Sequence, residues 1–282
     1  MSTPYYSPDF DPKWDSLRTG PYTELVPHTN IGGYIYKNAA AFKAYIKRAL
    51  EANMGAHYYA QSQETSNYSV ASCRIDLSKV SINNKKNGVV KRNGYLCLGM
   101  ISGGTKAFQC DIGLGNTGNG WFPYSYMKER RPDTGTVTFG MNQILSNQNA
   151  IVDITYTVSK TSNQDKIVGV FKVGGSVKAQ VTYTTEPGGL FLGEVGKPKL
   201  RFERFMSLVP LNSTSDDADN TTMEATITNL KLGNRTWDSS LLEYVWSVQG
   251  ANIESLKVSD LAVSSVGTNA DYIKINHRYQ LH

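Results

Sequence analysis

The clearest pattern in the chain is an alternation of apolar and polar residues that begins at residue 151. Asp, Thr and Ser stand between the apolar residues, which are Val152, Ile154, Tyr156 and Val158. A period of two residues is that of a β-strand with one face buried and the other in water. The pattern therefore predicts a half-buried strand over residues 151–159.

A hairpin is predicted soon after this strand. Two further alternating runs are separated by Gly174 and Gly175. Glycine accepts the positive φ that a two-residue hairpin turn requires. With these glycines as the turn, the expected register places Val168 opposite Val181. Three strands that each have one apolar face need a second sheet to cover them.

The chain from about residue 70 to residue 275 shows further strand patterns. The near-continuous apolar run at residues 95–101 predicts a central strand that is buried on both faces. In residues 222–232 the apolar positions change parity at Asn229, which predicts a β-bulge. No repeat or linker divides the region. The sequence therefore predicts a mainly β fold, an antiparallel β-sandwich, in which residues 37–282 form one domain.

One amphipathic helix is predicted ahead of the strands, at residues 38–53. Asn38 is a suitable N-cap residue. Apolar residues recur at helical spacing with charged residues on the other face; they are Phe42, Tyr45, Ile46, Ala49 and Leu50. We expect this helix to pack against the sandwich. Because its other face is basic, binding at a membrane surface is the alternative role.

Residues 1–36 differ from the rest of the chain in their proline content. Proline fixes φ and removes a hydrogen-bond donor, so a segment with this many prolines predicts an extended N-terminal arm. Aromatic residues stand between the prolines; they are Tyr5, Tyr6, Phe10, Trp14 and Tyr22. Because aromatic rings favour burial, we expect the arm to lie along the body or along a neighbouring copy, where it would support a homo-oligomer.

Composition and charge narrow the function classes. Only 19% of the 282 residues are charged, and the net charge of +5 comes from scattered short clusters. Scattered charge does not favour nucleic-acid binding. The first residues form no leader, and no run approaches 18 apolar residues, so no membrane span is expected. The surface composition favours an extracellular location, or the surface of a particle or cell, without a visible signal peptide.

The three cysteines are Cys73, Cys97 and Cys110, a number that cannot pair completely within one chain. Cys73 and Cys97 stand in apolar, strand-like runs, where a free cysteine behaves as a small apolar residue. No spacing of Cys and His suggests a zinc site. One disulfide remains open, and a disulfide framework is excluded.

The segment ATITNLKLGNRTW at residues 225–237, together with the strand patterns at 168–184 and 201–210, carries a resemblance to a known family. It resembles the closing strands of a concanavalin A-like, laminin-G-like jelly-roll sandwich. The resemblance implies two curved antiparallel sheets. That family includes lectins, carbohydrate-binding modules, glycan-degrading enzymes and structural domains.

A glycine-rich stretch at residues 113–120 matches the GxGxxG pattern, but no helix can follow it, so we predict a surface loop rather than a nucleotide site. Aromatic and basic residues follow that loop, and such residues stack on and hydrogen-bond to sugars. They are the candidate ligand-binding set, Trp121, Tyr124, Tyr126, Arg130 and Arg131. Core filling is the competing role, and it is favoured for Trp121 and Phe122.

An acidic, hydroxyl-rich loop is predicted at residues 212–220. Asp216, Asp217 and Asp219 offer closely spaced oxygen atoms, the ligands that Ca²⁺ prefers. A structural calcium is therefore the cofactor that the sequence suggests. A solvated polar loop is the alternative, because the glycine and the distal glutamate of an EF-hand are absent.

Catalysis has little support in the sequence. A glycosidase needs two carboxylates that flank the scissile bond. Glu203, Glu224 and Asp153 each stand alone on a predicted strand. We therefore predict a non-catalytic, lectin-like module whose partner is a glycan. The alternatives are a self-assembling structural protein of a virion, a spore surface or an intracellular inclusion, and a polysaccharide-active enzyme.

Overall fold

A computed structural model describes thirteen ranges of the chain, which are 25–28, 33–36, 56–62, 68–102, 108–129, 136–139, 147–160, 164–184, 200–210, 221–238, 241–248, 261–265 and 269–277. These ranges are mainly β, and the helical element among them is a short 3-10 turn at Leu77–Lys79. No helix within them is long and apolar enough to span a membrane. The helix predicted at residues 38–53 lies outside the described residues.

Twenty strands are described. They are β1 Leu25–His28, β2 Gly33–Tyr36, β3 Ala56–Ser62, β4 Val70–Asp76, β5 Ser81–Asn83, β6 Lys85–Lys86, β7 Val89–Val90, β8 Arg92–Ser102, β9 Phe108–Asn116, β10 Trp121–Glu129, β11 Thr136–Phe139, β12 Ile151–Lys160, β13 Asp165–Val173, β14 Ser176–Thr184, β15 Leu200–Pro210, β16 Thr221–Leu232, β17 Arg235–Thr236, β18 Leu242–Val248, β19 Leu261–Ser265 and β20 Asp271–His277.

Two large antiparallel sheets contain most of these strands. One has six strands in the order β10-β9-β8-β15-β3-β18. The other has ten strands, with the path β11-β14-β13-β12-β4-β16-β20-β19 and with β5 and β17 beside β16. The pairs β1-β2 and β6-β7 form two small sheets. Within the segment predicted as an arm, the structure describes β1 and β2 as this antiparallel pair, and residues 1–24 lie outside the described ranges.

Apolar side chains from both large sheets form one core, which supports the predicted β-sandwich. The six-stranded sheet contributes alternate residues of β8, β9 and β15, and the ten-stranded sheet contributes alternate residues of β4, β12 and β16. The alternation arises because successive side chains of a strand point to opposite faces. Strand β8 matches the predicted central strand, since it lies between β9 and β15 and residues 96–100 are buried.

The predicted hairpin is confirmed, but its predicted register is wrong beyond the turn. Gly174 and Gly175 form the turn at positive φ. The register then shifts by one residue at Lys172, so Val168 lies opposite Thr182 instead of Val181. The shift allows the larger apolar side chains of β13, Ile167 and Phe171, to face the core. Because Val168 is also apolar, the sequence alternation alone could not choose between the two faces.

The predicted bulge at Asn229 is confirmed. Its backbone has a φ of 51°, and the pairing of β16 with β4 changes register between Thr228 and Lys231. Beyond this point Leu230 and Leu232 are buried in the same core as Ile227. The bulge therefore returns the apolar residues of β16 to the core face after the change of parity.

A buried ion pair joins the two large sheets. Arg204 of β15 and Asp271 of β20 form a bidentate contact, with Nη2 of Arg204 donating to Oδ1 of Asp271 at 3.0 Å. Their side chains are 3% and 4% exposed. Burial lowers the pKa of the Arg204 guanidinium, but the adjacent Asp271 carboxylate and Tyr58 hydroxyl together outweigh burial and raise that pKa above its ordinary value. Arg204 is therefore charged in the core.

Further polar contacts complete this pair. The Tyr58 hydroxyl donates to Oδ2 of Asp271 at 2.9 Å, and Nη1 of Arg204 donates to the backbone oxygen of Trp237 at 2.8 Å. The Arg204 guanidinium also lies 4.9 Å from the centre of the Trp237 ring, which adds a cation–π contact. Burying two charges is tolerated only when such hydrogen bonds satisfy them.

Replacing Asp271 by alanine is expected to destabilise the fold strongly. The substitution leaves the charged Arg204 buried without its carboxylate, which costs about 3–5 kcal/mol in unfolding free energy. Urea denaturation followed by circular dichroism measures this loss.

The matched control is Asp153→Ala, which breaks the ion pair with Arg74. That pair lies on the outer face of the ten-stranded sheet, where the side chains are 47% and 36% exposed. Solvent screens such a pair, so the control should change stability far less. Equal losses from the two variants would contradict the role assigned to the buried pair.

Candidate functional site

The outer face of the six-stranded sheet, which points away from the core, carries the candidate site. On β8 this face includes Tyr95, Cys97 and Gly99, because Leu96, Leu98 and Met100 point into the core. On β9, β10 and β15 it includes the residues that pair with these three in the cross-strand register.

Glycines occupy the middle of this face, and the loop predicted at residues 113–120 is therefore partly wrong. Gly113 and Gly115 lie within β9, and only residues 117–120 form the turn to β10. Gly113 pairs with Tyr124, and Gly115 pairs with Phe122. Because glycine has no side chain, nothing on β9 at these two positions separates the outer-face side chains of β8 from those of β10.

An aromatic strip lies on the same face as these glycines. We define the strip as Phe122, Tyr124 and Tyr126 of β10, together with Tyr95 of β8. All four side chains are half-buried. Alternate residues of a strand share a face, so the three rings of β10 follow one another along that strand at about 7 Å intervals.

Two rings of the strip meet across β9. The centroids of Tyr95 and Tyr124 are 4.5 Å apart, with an interplanar angle of 47°. Their strands β8 and β10 are separated by one strand, a distance of roughly 9–10 Å between backbones. The rings reach each other because Gly113 and Gly115 present no side chain between them.

The polar groups of the strip keep their hydrogen-bonding capacity. Burial raises the pKa of the Tyr124 phenol, with a smaller contribution from Cys97, and burial also raises the pKa of Tyr95. Both phenols are therefore neutral at pH 7 and can donate as well as accept. Nδ2 of Asn93 donates to the Tyr95 hydroxyl at 3.1 Å.

The residues beneath the strip form a small apolar cluster. Cys97 and Phe205 are 1% and 4% exposed, and Tyr95 and Tyr124 pack against them. Ser207, the next outer-face residue of β15, is 2% exposed. The accessible part of this face therefore lies towards β10, and the part over β15 is covered.

Two carboxyl groups lie close together at one end of the strip. Gly99 pairs with Glu203 on one side and with Asp111 on the other, and Asp111 pairs with Tyr126. A Cβ atom on Gly99 would lie 2.5 Å from Oδ1 of Asp111 and 2.8 Å from Oε1 of Glu203. Glu203 is 0% and Asp111 5% exposed, so both carboxyl groups lie below the surface of the strip.

Sequence reasoning missed this pair and the role of Tyr95. Asp111 and Glu203 are separated by many residues and approach each other only through the pairing of β9, β8 and β15. The signal in the sequence is a glycine, Gly99, in an otherwise apolar central strand, which marks a close approach of neighbouring side chains.

The structure separates Trp121 from the other predicted site residues. Its side chain is 4% exposed and belongs to the core between the sheets, as core filling predicts. Its backbone N–H donates to the side-chain oxygen of Gln148. Tyr124 and Tyr126 lie together on the opposite face. The core-filling role predicted for Phe122 is wrong, because its side chain is half-buried in the strip.

The remaining predicted site residues lie outside the described ranges. They are Arg130, Arg131, Asp216, Asp217 and Asp219. Within the described ranges, no group of three or more His, Cys, Asp or Glu residues could hold a metal ion. The calcium site at residues 216–219 stays a prediction.

Comparisons with known proteins give no family for this chain. No protein-family model matches it, and no curated protein matches it. Among solved structures, the crystal structure of a marine PL-14 alginate lyase from Aplysia kurodai is similar over 52% of this chain and 71% of that chain. The identity is 13% and the TM-score is 0.22. A superposition at this level assigns neither a fold nor a function.

The three cysteines provide a chemical test of the packing beneath the strip. All are free and buried, so the disulfide that the sequence left open is not formed. Burial raises the pKa of each thiol above its ordinary value. A buried, protonated thiol is inert to disulfide reagents.

We expect the native protein to react with Ellman's reagent only on unfolding. The Tyr124→Ala variant should expose Cys97 and give one reactive thiol per chain, because Tyr124 packs against the cluster that Cys97 forms with Phe205. Cys97→Ser in the same background should remove that reactivity. Rapid reaction of the wild-type protein would contradict the packing of this face.

Proposed function

We propose that this protein is a glycan-binding module of jelly-roll type, and that the aromatic strip is its binding surface. The observation that carries the proposal is the arrangement of four half-buried aromatic rings on one sheet face, two of which meet at 4.5 Å over glycines. Rings fixed in this way present apolar faces and phenol hydroxyls side by side. Sugar rings stack their apolar faces on the first feature, and their hydroxyls hydrogen-bond to the second.

The packing of the strip supports binding over core filling. Tyr95 and Tyr124 pack on the cluster of Cys97 and Phe205 and contact each other, and Phe122 packs over Gly115. A ligand that stacks on prepositioned rings loses less conformational entropy than one that must order them. The strip is therefore preformed in the protein without a ligand, which is typical of small-molecule sites.

Alanine at Tyr124 or Tyr126 is expected to weaken glycan binding. Each variant removes one ring face and one hydroxyl, so we expect a loss of about tenfold or more in affinity. A glycan array identifies the ligand, and isothermal titration calorimetry then measures the affinity with calcium and with a chelator. Dependence on calcium would also test the predicted site at residues 216–219.

Tyr272→Ala is the matched control. Tyr272 is also a half-buried tyrosine, but it lies on the ten-stranded sheet, where its hydroxyl donates to Glu224. Its loss should leave glycan affinity unchanged. If the wild-type protein binds nothing on a broad array, or if the control loses affinity as much as the strip variants, the proposal fails.

The carboxyl pair favours a second function, cleavage of the bound polysaccharide. Glycosidases use two carboxyl groups that lie near each other, and Asp111 and Glu203 approach the same point beside Tyr126. Their burial means that a substrate would reach them only after a movement of this face. Turnover of a polysaccharide that is abolished by Glu203→Gln, with binding retained, would assign this activity.

A further inference from the structure

We infer that Gly115 is the positioning residue of the aromatic strip, and that it acts on the ligand through the ring of Phe122. The inference rests on the proposed glycan-binding function. It concerns how the strip acquires its shape, since Gly115 itself offers no side chain to a ligand.

The contacts of Gly115 carry the inference. It lies in β9 between Tyr95 of β8 and Phe122 of β10 in the same cross-strand row. A Cβ atom at this position would lie 2.9 Å from Cζ and 3.1 Å from Cε2 of Phe122. The Phe122 ring therefore lies over the glycine, in space that any other residue would occupy.

The same distances show that a substitution here displaces the ring and spares the backbone. The third neighbour of the added Cβ is Cβ of Tyr124 at 3.4 Å, an ordinary van der Waals distance. The φ of Gly115 is not in the left-handed region, because it is absent from the positive-φ glycines of the described ranges. Alanine is therefore compatible with the strand, and the flexible end of Phe122 is what must move.

Moving this ring changes the strip as a binding surface. Phe122, Tyr124 and Tyr126 follow one another along β10, and a sugar chain that stacks on them requires their faces to lie at a common height. An alanine beneath Phe122 lifts one ring out of this arrangement. We therefore expect Gly115→Ala to reduce affinity about as much as Phe122→Ala, roughly tenfold.

The test is a double-mutant cycle. Wild type, Gly115→Ala, Phe122→Ala and the double variant are titrated with the hexasaccharides of cellulose, xylan, mannan and chitin. If Gly115 acts through Phe122, the double variant binds no more weakly than Phe122→Ala alone. Near-ultraviolet circular dichroism of Gly115→Ala should change while the far-ultraviolet spectrum does not.

Gly94→Ala is the matched control in the same sheet. Its added Cβ would lie 2.5 Å from Cδ1 of Ile82, so it also displaces a flexible side chain, but one at the core. This control should lower stability and leave affinity at the wild-type value. A loss of affinity equal to that of Gly115→Ala would show a general effect of sheet distortion and would overturn the inference.

The remaining outcomes separate the inference from the proposed function. If wild type binds a hexasaccharide and Gly115→Ala binds it equally well, the inference is overturned and the function stands. A further loss from Gly115→Ala in the Phe122→Ala background overturns it too. If Gly115→Ala fails to fold, removal of the Phe122 ring in the double variant should restore folding. A double variant that also fails to fold overturns the inference. Absence of binding by the wild-type protein overturns the proposed function and this inference together.

Discussion

The charged contact between Arg204 and Asp271 is the constraint on which the sandwich depends. It lies in an apolar core, and it joins a strand of the six-stranded sheet to the first residue of a strand in the other sheet. Apolar contacts are tolerant of small sliding movements, whereas a bidentate ion pair has one geometry. The pair therefore fixes how one sheet is placed over the other. The relative positions of the two outer faces follow from that placement.

On the outer face of the six-stranded sheet, glycine has an effect opposite to its usual one. Glycine within a strand ordinarily weakens it, because it contributes no side-chain packing. Here the Phe122 ring fills the space beside Gly115, and Cys97 fills the space beside Gly113. A neighbouring side chain therefore occupies the space that each glycine leaves, and at Gly115 that side chain also shapes the outer face.

Much of the fold could be predicted from the sequence, because it depends on local patterns. The turn at Gly174 and the bulge at Asn229 follow from glycine chemistry and from a change in alternation, and the structure has both. The register beyond Lys172 could not be predicted, since both faces of β13 carry apolar residues. A local pattern gives no information about which of two apolar faces meets the other sheet.

The candidate site was predicted only in part, for a related reason. Tyr124 and Tyr126 stand two residues apart, so their common face is visible in the sequence. Tyr95, Gly99 and Glu203 join the site through pairing between strands that are distant along the chain. The sequence predicts a loop at Gly113 and Gly115 for the same reason, because a glycine-rich segment resembles a turn until its neighbouring strands are known.

The long connections within the sheets have a consequence for how the chain acquires its structure. The hydrogen bond from Tyr58 to Asp271 spans 213 positions, and β3 lies between β15 and β18 in the finished sheet. Closing such loops costs entropy before any contact repays it, which makes folding slow. During synthesis β3 emerges early, and it can pair only after β15 and β18 have been synthesised. During that interval the nascent chain carries an unpaired strand, and unpaired strands are prone to aggregation.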